Sequence, residues 1–542
     1  MLQLDTERIE GRTCGEALID LLELYGVDTV FGIPGVHTFE LYRGLADSSL
    51  RHVLAKNEAG AGFMADGYAR VTGKPGVCFL ITGPGVTNAT TPMGQAFADS
   101  VPMLVISSEN PTPSLGKGWG LLHEITDQTA MTRPLTALSA TAQRPEDVPE
   151  LIGQAFSIFA SQRPRPVHIA VPMDVLAAPA TGSWATRTMP ARPSAQADAI
   201  SQAAELLANA ERPVIMPGGG LLGCDLDLVA NLAEQVGAAV IPSNKSKGLI
   251  PHEHPLNLGV TLWREGIKDY LASADVVLVI GCELSETDSF VKVPLPFSSK
   301  IIRVDIDPSK MNDRYPATVG VVADASQAGE MLLARLQEIG AEPKRPLAEI
   351  IDGVAELRAA AFAVTSDMEQ EHYELLDAIR AAMPDDGVLI GDMSQIVYTG
   401  CYAYPARAER GWHYAGGFCT LGCAMPMAIG AKLAQPDTAV AALAGDGGFM
   451  FTIQELIVGA ELGLPLPVIV WNNSGLGEIK SGMIGADIDP VGVDMIGPDF
   501  MALAKGFLCH GKQTDSPEEL TTLIQEALQA DRPTLIEVVA RS

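Results

Sequence analysis

Short apolar runs alternate with stretches of helical periodicity along almost the whole chain. Among the apolar runs are "HVLAK", "GVCFLIT" and "PMLVISS", then "AAVIPS", "ADVVLVIG" and "KIIRVDID", and finally "GVLIGD", "AVAALAGD", "LPVIVWNN" and "PTLIEVV". A sequence that repeats strand and helix in this way predicts parallel sheets covered by helices. Because 542 residues exceed what one hydrophobic core supports, we expect several such sheets.

Changes in composition divide the chain into three blocks. The first ends near "RPVHIAVPMDVL", and the segment "AAPATGSWATRTMPARPSA" after it is interpreted as a linker over the surface. The second closes near residue 340, and a helical stretch with "AEIIDGVAELRAAAF" leads to the third. We therefore predict three doubly wound α/β domains with mainly parallel sheets, over residues 1–180, 195–340 and 365–542. The first and third blocks are similar in plan but not in sequence, so we infer no internal repeat.

The charge balance argues against polyanionic partners. The chain has 37 Lys and Arg against 66 Asp and Glu, a net charge of −29, which repels nucleic acids and anionic membranes. Its eight cysteines form no CxxC pair, and we find neither a secretory leader nor a long uncharged apolar run. We therefore predict a cytoplasmic protein with reduced thiols, bound to neither nucleic acid nor membrane.

Polar residues follow two apolar strands of the third block. Asp446 comes directly after "AVAALAG", and Asn473 ends "VIVWNN", with a predicted helix between the two strands. Carboxyl ends of parallel strands meet at one edge of a sheet, where ligands bind. One carboxylate, one amide oxygen and a backbone carbonyl near Gly475 are ligands suited to Mg²⁺, which keeps phosphate oxygens in its remaining positions.

Two glycines beside Asp446 support an anion at the same place. Gly447 and Gly448 lack a Cβ, so their N–H groups can approach phosphate oxygens at the start of a helix. Taken alone, "GDGG" is more often a tight turn and "NN" a helix cap. The pair at matching strand ends favours a site for a magnesium diphosphate.

The pattern GDG followed about thirty residues later by NN resembles the signature of thiamine diphosphate enzymes, the family of acetolactate synthases and benzoylformate decarboxylases. The resemblance covers the whole chain and implies a pyrimidine-binding, a middle and a diphosphate-binding domain. It implies thiamine diphosphate and Mg²⁺ as cofactors, with each cofactor held between two subunits. A homodimer would then be the minimal active unit, within a homotetramer.

The stretch "KNEAGAGFMADGYAR" resembles the helix that carries the activating glutamate of the family, which implies that Glu58 protonates the pyrimidine ring of the cofactor. Without the resemblance, Glu58 would be an ordinary glutamate in a first helical turn, favoured there by the helix dipole. The turn "LITGPGVTN" is similar to the acetolactate synthase turn behind the pyrimidine. This similarity implies cofactor contacts for Gly85 and Asn88.

Two motifs of the third block resemble cofactor loops of the same family. In "GGFCTLGCAMP", Leu421 would bend the cofactor and the carbonyl of Cys419 would receive its amino group, although Leu421 also reads as a core leucine. In "GDMSQ", Ser394 and Gln395 stand where related enzymes touch the diphosphate. The resemblance thus implies that Glu58, Cys419 and Leu421 serve catalysis.

The choice of branch within the family depends on departures from its patterns. Acetolactate synthases have a Trp and a Gln soon after the paired asparagines, and "NNSGLGEIKSGMIGADIDPVGVD" has neither. Pyruvate decarboxylases have adjacent histidines, which are absent here, and benzoylformate decarboxylases have a His where Ile81 stands. The usual proton donors of these branches are therefore missing.

Four other polar residues stand near the expected pocket. They are His37, His123, Glu124 and Glu478, each of which is by itself more often a helix-end or surface residue. Together they indicate a pocket for a cation. The pattern, with "GEIK" and "PVGVD", is most similar to decarboxylases of 5-guanidino-2-oxopentanoate, the oxo acid of arginine.

Three classes of function stay open at this point. The first is a lyase that releases CO₂ and an aldehyde from a 2-oxo acid. The second is a carboligase resembling acetolactate synthase, and the third is a non-catalytic relative, disfavoured by the intact Glu58, Asp446 and Asn473. In the middle block, "MPGGGLLG" is interpreted as a turn rather than a dinucleotide loop, and a flavin in this domain stays open.

Overall fold

Three parallel sheets follow one another along the chain. The structure is a computed structural model, and it describes residues 9–290 and 294–541. The sheets have six, five and six strands, and the strands pair in parallel throughout. The predicted fold class of three α/β units is confirmed.

The first sheet has the strand order β2-β1-β3-β4-β6-β5. Its strands are β1 (Thr29–Gly32), β2 (Arg51–Leu54), β3 (Gly76–Leu80), β4 (Met103–Glu109), β5 (Leu138–Thr141) and β6 (Val167–Pro172). The helices around it are α1 (Cys14–Leu24), α2 (Phe39–Ala46), α3 (Glu58–Thr72), α4 (Pro84–Asn88), α5 (Thr90–Asp99), α6 (Gln128–Thr132), α7 (Asp147–Ser161) and α8 (Met173–Ala177).

The second sheet has the order β11-β10-β9-β7-β8. Its strands are β7 (Pro213–Pro217), β8 (Ala239–Val240), β9 (Val276–Ile280), β10 (Lys300–Asp305) and β11 (Val319–Val322). Its helices are α9 (Ala197–Ala208), α10 (Leu228–Val236), α11 (Glu265–Ala272), α12 (Glu286–Ser289) and α13 (Ala325–Glu338), and α14 (Leu347–Ala361) leads onward.

The third sheet has the order β13-β12-β14-β15-β17-β16. Its strands are β12 (Val388–Gly391), β13 (Trp412–Tyr414), β14 (Val440–Gly445), β15 (Pro467–Asn472), β16 (His510–Thr514) and β17 (Thr534–Val539). Its helices are α15 (Asp367–Ala382), α16 (Gln395–Ala403), α17 (Ala424–Ala434), α18 (Asp446–Phe449), α19 (Leu456–Glu461), α20 (Gly477–Gly485), α21 (Phe500–Gly506) and α22 (Pro517–Ala527). Strand for strand, this order repeats that of the first sheet.

The helices α3 and α17 join the first and third sheets within one chain. At their crossing, a Cβ on Gly67 or on Gly430 would lie closer than 3.0 Å to backbone atoms of the facing helix, at Met427 and Met64 respectively. The glycines therefore permit direct contact of the two backbones. Apolar residues of both sheets form one continuous buried cluster around this contact, whereas the second sheet has a core of its own.

The segment between the first and second sheets is more firmly attached than a surface linker. Trp184 within it is completely buried against the first domain, and its indole N–H donates to the carbonyl of Thr181 at 3.0 Å. The interpretation as a linker over the surface is therefore wrong at Trp184, because one large apolar side chain outweighs the polar composition around it. The domain limits at 180, 195, 340 and 365 stay a prediction.

Across the described ranges, no helix combines the length and the apolar character needed to cross a membrane.

Candidate active site

The ends of β14 and β15 bring Asp446 and Asn473 to one sheet edge. Gly445 of β14 is paired with Trp471 of β15, so the residues that follow the two strands leave the sheet side by side. Asp446 begins α18 and is 3% exposed, and its Oδ2 atom has no hydrogen-bond partner among the described residues. Burial raises the pKa of Asp446, while N–H groups of Gly447 and Gly475 oppose this. A buried carboxylate with a free oxygen is suited to a bound cation.

A chain of side-chain amides extends from Asn473. Its Nδ2 donates to Oε1 of Gln395 at 3.3 Å, and Gln395 Nε2 donates to Glu478 Oε2 at 3.4 Å. Ser394 caps the same helix as Gln395, and its buried hydroxyl has no partner within the described part of the chain. Gly475 forms a backbone bridge with Asp494 close by. The predicted metal and diphosphate residues thus meet at the Asp446 edge, our name for the carboxyl ends of β12, β14 and β15.

The two glycines after Asp446 line a narrow space. A Cβ on Gly448 would lie 2.9 Å from Asp392 Oδ1, and one on Gly447 would lie 3.0 Å from Leu476. Side chains here would therefore fill the space that the glycines leave open at the start of α18.

Asp392, which the sequence analysis did not single out, organises this edge. It is completely buried after β12 and accepts hydrogen bonds from the N–H groups of Met393 at 2.7 Å, Gly422 at 3.0 Å and Ala424 at 3.2 Å. Burial raises the pKa of Asp392, although these hydrogen bonds lower it. Its position after an apolar strand in "GDMSQ" matches that of Asp446 in "AGDGG", and this signal could have identified it.

The loop that Asp392 holds carries Cys419 and Leu421. Cys419 has a φ of 53°, a left-handed conformation unusual for a residue with a side chain, and its thiol donates to the carbonyl of Gly416 at 2.9 Å. Leu421 is partly buried and packs against the large core cluster. Leu421 therefore serves the core while its loop borders the Asp446 edge through Gly448, whose Cβ position is 3.4 Å from the Leu421 side chain.

Glu58 lies at the other candidate edge, at the carboxyl ends of β1, β2 and β3. It is the first residue of α3, after the cap Asn57, and its Oε2 accepts a hydrogen bond from Asn88 Nδ2 at 2.9 Å. The Cβ position of Gly85 is 3.5 Å from Glu58 Oε1. The structure thus brings Glu58, Gly85 and Asn88 together, and we call this group the Glu58 edge.

Two histidines that are far apart in sequence are neighbours beside the Glu58 edge. The ring centroids of His37 and His123 lie 5.2 Å apart, and both Nδ1 atoms are buried without a hydrogen-bond partner among the described residues. Burial and the neighbouring His123 lower the pKa of His37. His123 has a left-handed φ of 59°. The pair gives this side of the site two polar ring atoms that no group in the described ranges satisfies.

The two predicted substrate glutamates differ in their surroundings. Glu124 accepts backbone hydrogen bonds within its own loop, from Gly120 at 2.6 Å, Leu121 at 2.9 Å and Trp119 at 3.2 Å, and these hold its pKa below the usual range. Glu478 is exposed at the start of α20, with the long contact to Gln395 described above. Of the two, Glu478 has the carboxylate that is available to a ligand.

Comparison with known proteins assigns these edges to a family. The thiamine pyrophosphate enzyme family matches through its N-terminal TPP binding domain at residues 12–131, its central domain at 200–332 and its C-terminal TPP binding domain at 392–538. The chain is 50% identical over 529 residues to "Probable 2-ketoarginine decarboxylase AruI" of Pseudomonas aeruginosa, covering 97% of this chain and 94% of the relative. This chain belongs to the thiamine pyrophosphate enzyme family.

Acetolactate synthases are more distant members of the same family. The large subunit of acetolactate synthase isozyme 1 from Escherichia coli is 30% identical over 97% of this chain and 93% of its own length. The "Probable acetolactate synthase large subunit" of Methanocaldococcus jannaschii is 31% identical over 97% of this chain and 91% of its own length. The resemblance inferred from the motifs is therefore confirmed.

The residues at the two edges fit thiamine diphosphate, the cofactor of this family. The free oxygen of Asp446 and the unpartnered hydroxyl of Ser394 are buried polar atoms that a bound metal diphosphate would satisfy. The space beside Gly447 and Gly448 provides the approach for its oxygens. Glu58, at the Glu58 edge, is partly exposed. The assignment of individual residues to the cofactor and the metal is part of the proposal below.

Proposed function

We propose that this protein is a thiamine diphosphate-dependent decarboxylase that converts 5-guanidino-2-oxopentanoate, also called 2-ketoarginine, to the guanidino aldehyde and CO₂. The observation that carries the proposal is the 50% identity, over 97% of the chain, to a protein named as a 2-ketoarginine decarboxylase. Identity to the acetolactate synthases reaches only 30% and 31%. In the reaction the bond between C1 and C2 breaks, CO₂ leaves, and a proton takes its place on C2.

Asp446, Asn473 and the carbonyl of Gly475 would hold Mg²⁺ at the Asp446 edge. All three offer oxygen, which Mg²⁺ prefers, and Asn473 would bind through its amide oxygen while its nitrogen donates to Gln395. Ser394, Gln395, Gly447 and Gly448 would contact the diphosphate. Bound thiamine diphosphate supplies the electron sink that a 2-oxo acid needs in order to lose CO₂.

Glu58 would transfer a proton to the pyrimidine nitrogen of the cofactor. Its hydrogen bond from Asn88 fixes the orientation of the carboxyl group, and the absence of a side chain at Gly85 leaves room beside it. Leu421 would support the bent cofactor and the Cys419 carbonyl would accept its amino group. Glu58, Leu421 and Cys419 are thus the proposed catalytic residues.

The guanidinium group of the substrate would bind Glu478. A charge-assisted hydrogen bond to a carboxylate contributes about 1.5–3 kcal/mol, and Glu478 has no competing ion pair among its described contacts. Glu124 would act through the loop that carries His123, since its oxygens are engaged by that loop. The rings of His37 and His123 would face the substrate and exchange protons with it.

The active unit would be a homodimer, assembled further into a homotetramer in the cytoplasm. Within the described residues, the hydrogen bonds of Glu58 stay in the first domain and those of Asp446 in the third. Large apolar side chains near both edges are exposed, among them Trp119 at 60%, Leu122 at 60% and Phe451 at 62%. A second copy that joins the Glu58 edge of one chain to the Asp446 edge of the other would cover them.

The eight cysteines are all free thiols, which supports a reducing compartment.

The test is turnover of a panel of 2-oxo acids by the purified protein with thiamine diphosphate and Mg²⁺, with products identified by mass spectrometry. We expect 5-guanidino-2-oxopentanoate to be the preferred substrate and the guanidino aldehyde the main product. A preference for pyruvate or phenylglyoxylate would contradict the substrate, and a main product with a new carbon–carbon bond would favour the carboligase alternative.

Recognition of the guanidinium group is tested separately by a substitution at Glu478. Glu478→Gln should raise KM for the guanidino acid at least tenfold, about 1.4 kcal/mol, and leave KM for uncharged oxo acids unchanged. Asp487→Asn, a further neutralised carboxylate in the same segment, is the matched control. An equal rise of KM for charged and uncharged acids would show that Glu478 does not recognise the guanidinium group.

A further inference from the structure

Glu455 is a buried acid for which the proposed mechanism has no role. It ends a short 3₁₀ helix, Ile453–Glu455, nine residues after Asp446 in the same loop region, and it is completely buried. A buried ionisable group is unfavourable unless it is paired or hydrogen-bonded. Its backbone donors, Lys56 and Asn57, belong to the first domain, and the side chain of the adjacent Gln454 contacts it from its own domain.

The carboxyl group of Glu455 lies against the start of α3. It accepts a hydrogen bond from the backbone N–H of Lys56, with distances of 3.2 Å to Oε1 and 3.0 Å to Oε2, and the N–H of Asn57 is directed at it as well. These two residues directly precede Glu58. Asn57 is the N-cap of α3, and its Oδ1 accepts a hydrogen bond from the N–H of Ala59 at 2.8 Å. The junction before Glu58 is thus held by its own cap and by a residue of the third domain.

The first turn of α3 is shaped to receive this carboxyl group. A Cβ on Gly60 would lie closer than 3.0 Å to the Glu455 side chain, so only glycine leaves the space that Glu455 occupies. Carboxylates are favoured at helix N-termini, where N–H groups are otherwise unsatisfied. Burial nevertheless raises the pKa of Glu455 to about 7, although the hydrogen bonds from the N–H groups of Lys56 and Asn57 lower it.

An exposed ion pair at the same junction provides a comparison. Lys56 Nζ lies 2.7 Å from Oε2 of Glu461, which is about half exposed. Exposed pairs of this kind contribute little to stability, whereas removing a buried acceptor leaves N–H groups without a partner. The fixing of Lys56 and Asn57 therefore depends on Glu455 rather than on Glu461.

We propose that Glu455 is a positioning residue for Glu58 of its own chain, because it holds the two residues before Glu58 from the third domain. The proposal rests on the role of Glu58 stated above. In the proposed dimer, Asp446 and Glu58 of one chain serve different sites. The segment from Asp446 to Glu455 would then connect the metal position of one site with the activating glutamate of the other.

The experiment compares Glu455→Gln with the matched control Glu461→Gln. We measure hydrogen exchange of the Lys56 and Asn57 amides in the apoprotein, exchange of the C2 proton of bound thiamine diphosphate, and the steady-state constants. In Glu455→Gln we expect faster amide exchange, and about 10- to 100-fold slower C2 exchange and kcat, because a small displacement of a catalytic group has effects of this size. KM and cofactor affinity should stay within about twofold, and Glu461→Gln should match the wild type.

Two outcomes would overturn the proposal. The first is unchanged C2 exchange and kcat despite faster amide exchange, which would make Glu455 merely structural. The second is a parallel loss of cofactor affinity, which would place Glu455 in binding. Should Glu455→Gln not fold, Gly60→Ala keeps the acid and displaces it from the other side, and the same slower C2 exchange is expected.

Hybrid dimers test the role of Glu455 separately from the proposal that each site is shared by two subunits. A chain with Asp446→Ala, paired with a chain with Glu58→Gln, leaves one complete site, whose Glu58 comes from the first chain. Adding Glu455→Gln to that first chain should lower the restored turnover about 10- to 100-fold, whereas adding it to the second should not. The reverse pattern would refute the positioning role. No restored turnover in the unmodified hybrid would count against the dimer, and the C2 exchange of the single variant would then decide on Glu455.

Discussion

At the scale of residues, Glu58 is the group on which the proposed chemistry depends most directly. Glu58→Gln retains the size and the hydrogen bond with Asn88 but cannot transfer a proton. We expect kcat to fall about 10²–10⁴-fold, the usual effect of losing a proton-transfer group, with cofactor affinity retained in titration calorimetry. Wild-type turnover in this variant, or loss of cofactor binding, would contradict the role given to Glu58.

Asp446 is the second residue whose replacement has a defined consequence. Asp446→Ala removes the carboxylate whose free oxygen is buried at the edge of the sheet. We expect the affinity for thiamine diphosphate and Mg²⁺ to fall at least 100-fold in titration calorimetry, about 2.7 kcal/mol. Asp392→Asn should instead lower thermal stability, since the loop containing Gly422 and Ala424 depends on its oxygens. Unchanged cofactor affinity in Asp446→Ala would refute the metal position.

At the scale of elements, the contact of α3 with α17 has a sharp requirement for glycine. In a helix interior, Gly→Ala stabilises by roughly 1 kcal/mol when nothing obstructs the new methyl group. At Gly67 that methyl would collide with the backbone of Met427. We therefore expect Gly67→Ala to lower the melting temperature by several degrees, since overpacking opposes stability by about 1–3 kcal/mol.

Gly353 provides the control for this prediction. It lies inside α14, and a Cβ there would meet nothing within 4 Å. Gly353→Ala should leave the melting temperature unchanged or raise it slightly. Equal shifts for both variants in differential scanning calorimetry would mean that helix propensity, not the close approach of backbones, governs Gly67.

At the scale of the whole molecule, the proposed sharing of each site between two subunits predicts complementation between variant chains. Glu58→Gln and Asp446→Ala proteins are each expected to be inactive. Mixed under conditions that exchange subunits, they should regain up to about a quarter of the wild-type activity per active site, since statistical pairing makes half of the dimers hybrid and each hybrid has one complete site of two. Exchange verified by mass spectrometry without recovered turnover would favour a site within one chain.

The central strands of all three sheets could be predicted from the sequence, and several edge strands could not. The strands β3, β9, β14 and β15 are almost entirely apolar runs because both of their faces are covered. In contrast, β5, β13 and β16 lie at or next to sheet edges, where short or polar segments such as "HGKQT" pair without a buried apolar pattern. The shared strand order of the first and third sheets was likewise not predictable, since pairing order follows packing rather than local composition.

The sequence by itself determined the family and the residue types at the candidate site, because strand ends carry motifs with fixed spacing. Asp446 and Asn473 could be identified in this way, since each lies at the end of an apolar strand, whereas the role of Glu58 was implied by the resemblance of its helix to that of the family. The pairing of His37 with His123, the burial of Trp184 and the reach of Glu455 to Lys56 depended on the tertiary structure. These contacts join residues that are close only after helices and sheets have packed, and no local pattern of hydrophobicity or charge encodes such a distance.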